Sequence, residues 1–346
     1  MSSIVNSSKA LPDGDVSNIA STSTSAIDYS GPRLILGTST LSSANSKDLT
    51  GLLQSLSNLP ISITSIDTAP FYPSQNPGHV ESLLGSAIQE VGLEYEIHTK
   101  TMVISKPHPV PGTGELHSKK VRESIQGSAQ RLKKPKLKTL LAARPDQEAT
   151  IGEIAGIFSA KVHEGRCDQW GVCNFSATQL RDLIRTAEKR GWHAPKVYQG
   201  HYSALHRKRA EEVLDVVEQY SMEFVASHSQ TALKSGAPTS RQNVNGIATN
   251  GTANLNVFGM PEAEETIRVL KAIETWHKIS PREVSLRWLA YHSRLRPVDG
   301  IVLEPATSEE LKADVEAIAK GPLPDEILKE VNRAWRAEED DAVHGR

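Results

Sequence analysis

The sequence predicts an α/β fold, a closed (β/α)8 TIM barrel with extra C-terminal helices. Short apolar runs alternate with amphipathic helical stretches along most of the chain. The alternation repeats eight times in roughly 300 residues, the size of a closed barrel. No G-x-G-x-x-G follows the first run, which argues against an open dinucleotide-binding sheet.

The elements follow in order. RLILGT (33–38) is the first strand and KDLTGLLQSL its helix. ITSID (63–67) is the second; in the helix after it Val80, Leu83, Leu84, Ala87, Ile88 and Val91 share one face, and Gly92 stands at the C-cap. YEIHTK (95–100) is the third strand and LHSKKVRESIQGSAQRL its helix. LKTLLAARP (137–145) is the fourth, followed by a helix striped with Ile151, Ile154, Phe158 and Val162. DQWGVCNF is the fifth; its helix opens on the capping box Ser176–x–x–Gln179 and closes at Gly191. KVYQGHYS, MEFVASHS and GIVLEPA (300–306) are strands six to eight. Strand eight leads to a second capping box, Thr307–x–x–Glu310. Two helices precede strand eight, and DEILKEVNRAWRAEEDD adds one at the end. Residues 1–30, rich in Ser, read as a disordered tail before a single barrel domain over 31–346. The polar stretch 233–260 is too long for an ordinary connection and reads as a mobile flap at the barrel's mouth.

The bulk numbers narrow the partners. Lys and Arg total 39 against 41 Asp and Glu, which provides no long-range field for nucleic acid. No apolar run is long enough to span a membrane, and residues 1–30 lack the features of a signal peptide. Only Cys167 and Cys173 occur, a usage that fits a reducing, cytoplasmic compartment. The expected partner is a small molecule; the oligomeric state is not legible. His201 and His206 have no Cys or carboxylate beside them and read as rim residues rather than metal ligands.

In such a barrel the chemistry lies at the C-terminal ends of the strands. Asp67 ends strand two, Tyr72 lies in the loop after it, and Lys100 ends strand three. The lysine ammonium is expected to lower the tyrosine's pKa from about 10, with the carboxylate holding the lysine, so that the phenol serves as general acid or base. The same residues would equally form a structural salt bridge beside a packing tyrosine.

IDTAPFY with HVESLLGSAI, IHTK, WGVCNF, VYQGHYS and GPLPDEILKEVNRAW together resemble the aldo-keto reductases, especially the aflatoxin-aldehyde reductases and their fungal relatives. The resemblance runs from about Arg33 to about Trp335. It implies an NADP-dependent oxidoreductase that reduces an aldehyde or ketone to an alcohol, here on a secondary-metabolite intermediate, with NADPH giving hydride and no metal. It implies Asp67, Tyr72 and Lys100 as catalytic residues. It also implies Thr38, Asn174, Gln199, Ser227, Thr307, Glu310 and Asp314 along the cofactor, with Asn174 and Gln199 on the nicotinamide carboxamide.

Departures from that pattern shape the expectation. In LLAARPD, Ala143 stands where the family has a histidine, and losing such a donor costs about 3 kcal/mol of transition-state stabilisation. Arg144 should face away, while His108 and His117 are candidates to reach inward. Ser227, with His228 next, replaces a tyrosine that stacks on the nicotinamide. Glu304 and Pro305 replace part of the small-residue turn that cradles the 2′-phosphate, and Glu310 and Asp314 stand where neutral amides or an arginine are usual. Two readings remain beside the reductase: a redox-silent barrel using Tyr72 and Lys100 for proton transfer, as an isomerase or dehydratase, and a non-catalytic barrel that binds a partner.

Overall fold

The computed structural model describes residues 28–73, 75–101, 114–204, 207–227 and 262–344. The strands are β1 (Arg33–Gly37), β2 (Ser65–Asp67), β3 (Glu96–Thr101), β4 (Leu137–Ala142), β5 (Cys167–Cys173), β6 (Val197–His201), β7 (Glu223–Ser227) and β8 (Gly300–Leu303). They pair in parallel in sequence order, and β8 closes onto β1, giving the expected barrel. The helices around it are α1 (Ser46–Ser55), α2 (His79–Val91), α3 (Ser118–Arg131), α4 (Ile151–His163), α5 (Ala177–Arg190) and α6 (Lys208–Gln219). After β7 come α7 (Glu262–His277) and α8 (Pro281–Tyr291), and after β8 come α9 (Ser308–Ala319) and α10 (Asp325–His344). Among the described residues no helix is long and apolar enough to cross a membrane.

Several strands end earlier than their apolar runs. β4 stops at Ala142 and β8 at Leu303, ahead of Pro145 and Pro305, which have no N–H to extend a ladder. The expected tail falls outside the described residues except at 28–30. Tyr29 already belongs to the fold: its hydroxyl donates to the Pro32 carbonyl at 2.8 Å, and its ring meets Tyr291 edge-on at 6.0 Å. The domain therefore starts at or before Tyr29 rather than at Gly31. The flap at 233–260 lies outside the described residues, as do His108, His206 and His228.

The caps follow the sequence closely. Gly92 and Gly191 close α2 and α5 with φ of 72° and 66°, the left-handed geometry that glycine adopts without a Cβ clash. Ser176 and Gln179 form the full capping box on α5. On α9 only half of the second box forms. Thr307 accepts from the Glu310 N–H, but the Glu310 carboxylate caps the Ala306 N–H at 2.8 Å instead of that of Thr307.

Both faces of the sheet are buried, as a parallel barrel requires. Outward-facing Leu36, Ile66, Ile97, Leu140, Trp170 and Phe224 join the helices in one continuous core. Inside, Ile35, Leu141, Cys173, Val197, Val225 and Val302 form a second cluster from six strands. The remaining two strands differ: β2 and β3 turn Asp67, His98 and Lys100 inward by alternation. Polarity is thus concentrated on one wall. Behind that wall Glu81 of α2 is fully buried and accepts from Thr99 Oγ1 at 2.8 Å, Ser128 Oγ at 3.1 Å and Arg131 Nε at 2.8 Å. This network ties α2 and α3 to β3, the strand that carries Lys100, and gives both oxygens of the buried acid a hydrogen-bond donor.

Candidate active site

The site begins at the ends of β2 and β3. The Lys100 ammonium donates to both Asp67 carboxylate oxygens at 2.7 and 2.8 Å and to the Thr68 carbonyl at 3.2 Å. Its three N–H groups are all used there, and both side chains of the pair are almost wholly buried. Burial alone would depress the lysine's pKa, but Asp67 and its neighbours reverse that and hold it above the usual ammonium range. Lys100 therefore remains charged.

Tyr72 packs with Phe71, Ala69 and Val80 in the loop between β2 and α2, its ring 4.9 Å from that of Phe71. The Tyr72 N–H donates to the Ala69 carbonyl, and its own carbonyl accepts from Val80 N. Lys100 Nζ stands 5.8 Å from the ring centroid. The ammonium acts on the phenol through its field, not through a hydrogen bond. That corrects the expected pKa shift. Burial raises the Tyr72 pKa more than Lys100 lowers it, with Asp67 and Glu304 also raising it. The phenol keeps its proton throughout the neutral range.

The other sequence-predicted residues divide into three groups. Gln199 joins the centre: its Nε2 donates to Asp67 Oδ1 at 3.0 Å, and its Oε1 accepts from the Cys173 thiol at 3.2 Å. Cys173, whose thiol burial pushes up to about 12, fixes which way the amide faces. Asn174 sits next to it with φ of 63°, its Nδ2 3.5 Å from the Ala143 carbonyl and its own carbonyl accepting from Arg209. Ser227 is buried at the end of β7, opposite His201 in register.

Thr38 is not brought to the surface of the site. It is fully buried, and its hydroxyl bonds the Asp67 carbonyl at 3.1 Å and Thr68 Oγ1 at 2.9 Å. Its place is behind Asp67, holding that residue's backbone.

Thr307, Glu310 and Asp314 lie together on α9 but engage the protein's own groups. Asp314 is buried and grips Arg282 of α8 through both guanidinium prongs, one at 2.6 Å. Glu304 is buried as well, accepting from Ser39 Oγ at 2.6 Å. A side chain at Gly37 would meet Val302 Cγ1 at 2.6 Å and Glu304 Cγ at 3.2 Å, so the glycine is what lets the Glu304 stem close down over β1.

Ala143, where the sequence resemblance places the family's histidine, is half-buried. Arg144 does not replace it: both its prongs hold Glu115, one at 2.8 Å. His117 does not reach inward either. Its side chain is 53% exposed, with Nε2 3.6 Å from Glu148. Between them Asp146 accepts from the backbone N–H groups of Gly114, Leu116 and Glu148 at 2.6 to 2.9 Å. Burial would raise its pKa, but these bonds override that and keep the carboxyl below its usual range.

The sequence reading missed Cys173, Asp146 and the Ser39–Glu304 clasp. Only Cys173 had a signal, as a thiol at the C-terminal end of a barrel strand. The other two depend on loops meeting in space.

A sequence model described as the Aldo/keto reductase family matches residues 33–336. The chain belongs to that family. Aflatoxin B1 aldehyde reductase member 4 of Homo sapiens is 25% identical over 286 residues, covering 79% of this chain and 84% of the relative. Aflatoxin B1 aldehyde reductase member 2 of Rattus norvegicus is 26% identical over 291 residues, covering 79% and 76%. Aldo-keto reductase pigE of Monascus ruber is 23% identical over 290 residues, covering 79% and 82%. Membership makes this aldo-keto reductase an oxidoreductase of the carbonyl-reducing kind. The residues at the mouth fit a nicotinamide at its reactive end, where Gln199 and Asn174 present oriented amides. They do not fit a 2′-phosphate at the β8–α9 turn, where carboxylates crowd the backbone.

Proposed function

We propose that this protein reduces an aldehyde or ketone to an alcohol, with Tyr72 as the proton donor. The observation that carries the reading is a neutral, buried phenol held beside a charged Lys100–Asp67 pair at the C-terminal mouth of the barrel. A reduced nicotinamide, when bound, supplies the hydride. NADPH is the form that the sequence resemblance implies.

The chain's own residues would act as follows. Tyr72 Oη–H donates to the carbonyl oxygen and gives up its proton as negative charge develops there. The Lys100 ammonium lies close enough to stabilise the resulting phenolate by its field, and Asp67 keeps that ammonium in place. Cys173 and Asp67 hold the Gln199 amide from both ends, which presets it for a planar amide partner. Burial of the pair excludes water and lengthens the reach of its charges. The redox-silent alternative would use the same Tyr72 and Lys100 for proton transfer without a hydride, and titration with the reduced nicotinamide separates the two.

The relatives' names point to aflatoxin B1 aldehyde as a substrate of those proteins. A bulky carbonyl from secondary metabolism is the substrate class we carry to this chain, and the cytoplasm, where its two free cysteines stay reduced, is the compartment. The test is Tyr72→Phe. Turnover of an aldehyde such as 4-nitrobenzaldehyde should fall by about 10³-fold or more while nicotinamide-cofactor binding stays within a few-fold. Undiminished turnover would remove Tyr72 from the mechanism.

A further inference from the structure

In barrels of this kind phosphate is commonly held after strands seven and eight, at the N-terminus of the helix that follows. Here that position is the turn from β8 into α9. Its free N–H groups should attract an anion, but the chain's own side chains already engage two of them. Glu310 caps the Ala306 N–H at 2.8 Å, and Thr307 Oγ1 caps that of Glu310. Pro305 contributes no N–H.

The charges agree. Arg282 is the cation beside this turn, and Asp314 occupies both prongs of its guanidinium. Glu310 and Glu304 both stand within the electrostatic reach of Arg282. Among the described residues one guanidinium is thus set among three carboxylates, a net negative group. Glu304 is not free to swing away, because Ser39 holds it and its stem fills the space above Gly37.

We infer that the β8–α9 turn excludes a 2′-phosphate, so that this protein takes NADH in preference to NADPH. The inference rests on the proposed reductase reading, in which the adenosine end of the cofactor lies at this turn. A ribose 2′-hydroxyl beside carboxylates finds acceptors, whereas a 2′-phosphate meets like charge.

The experiment is calorimetric titration of the full-length protein with NADH and with NADPH at moderate salt, for wild type and for Glu310→Gln. The glutamine keeps an acceptor for the Ala306 N–H and removes the charge. Wild type should bind NADH about tenfold or more tightly than NADPH. The Kd ratio of NADPH to NADH should drop roughly fivefold in the variant, with thermal unfolding confirming that the variant folds. Tighter binding of NADPH by wild type, or an unchanged ratio in Glu310→Gln, overturns the inference and leaves the reductase reading standing. Binding of neither at millimolar concentration removes that reading and this inference with it.

Discussion

At the scale of single residues, the proposed chemistry rests on Tyr72 and Ala143. A phenol with a raised pKa is ready to donate but is a weak acid, and the sequence resemblance puts Ala143 where a histidine would polarise the carbonyl. Neither Arg144, tied to Glu115, nor the exposed His117 supplies that contact. Ala143→His should therefore raise kcat/KM for a small aldehyde by about tenfold or more, part of the hundredfold such a donor can be worth. An unchanged or lower rate in steady-state assays would mean that the pocket is shaped around the alanine. The convergence of Asp67, Tyr72 and Lys100 was legible because their spacing along one loop and two strand ends survives any detail of packing. The sign of the Tyr72 shift was not legible. A sequence shows that an ammonium is near but not how much water is absent, and here desolvation is the larger effect.

At the scale of elements, β3 is the unusual strand. It alternates Glu96, His98 and Lys100 toward the inside, where six of the other strands place apolar groups. His98 is the register partner of Asp67, and its buried Nε2 has no hydrogen-bond partner among the described residues. Desolvation lowers its pKa from 6.5 to about 4, although Asp67 acts in the opposite direction. The linkage follows directly. Between those two values the unfolded chain binds the proton and the folded chain does not, so stability falls as pH drops through that window. Glu223, pushed up to about 7 by burial against its Arg33 partner, works the other way, losing its contribution as pH rises from the unfolded value toward 7. Wild type alone would blur the two effects. The difference between wild type and His98→Leu isolates one of them. Denaturant unfolding should show wild type losing about 2 kcal/mol more than the variant between pH 7 and pH 5, and parallel stability curves would contradict the assignment. The helices were easier to read than the strand ends. Gly92, Gly191 and the Ser176–Gln179 box are local signals, whereas the half-formed box at Thr307 depends on where Glu310 finds a better donor.

At the scale of the whole molecule, the eightfold alternation of sequence became the eightfold closed sheet, with six strands filling the barrel with apolar side chains and two carrying the charge. Closure brings Gln199 of β6 across the barrel to Asp67 of β2, a pairing over 132 residues that no local pattern could predict. The same closure presses the β8 tail onto β1, and the expectation that Glu304 would trouble a phosphate became a clasp with Ser39. Fold and polar wall were therefore readable from period and position, while the relations among loops required the ring to close. In the proposed reaction hydride and proton meet at a carbonyl above Tyr72. Incubation with a 4-deuterated reduced nicotinamide and an aldehyde, followed by mass spectrometry of the alcohol, measures that meeting. One deuterium on the carbinol carbon, present with wild type and lost with Tyr72→Phe, is the predicted result. Deuterium-free product, or equal incorporation by both proteins, would contradict it.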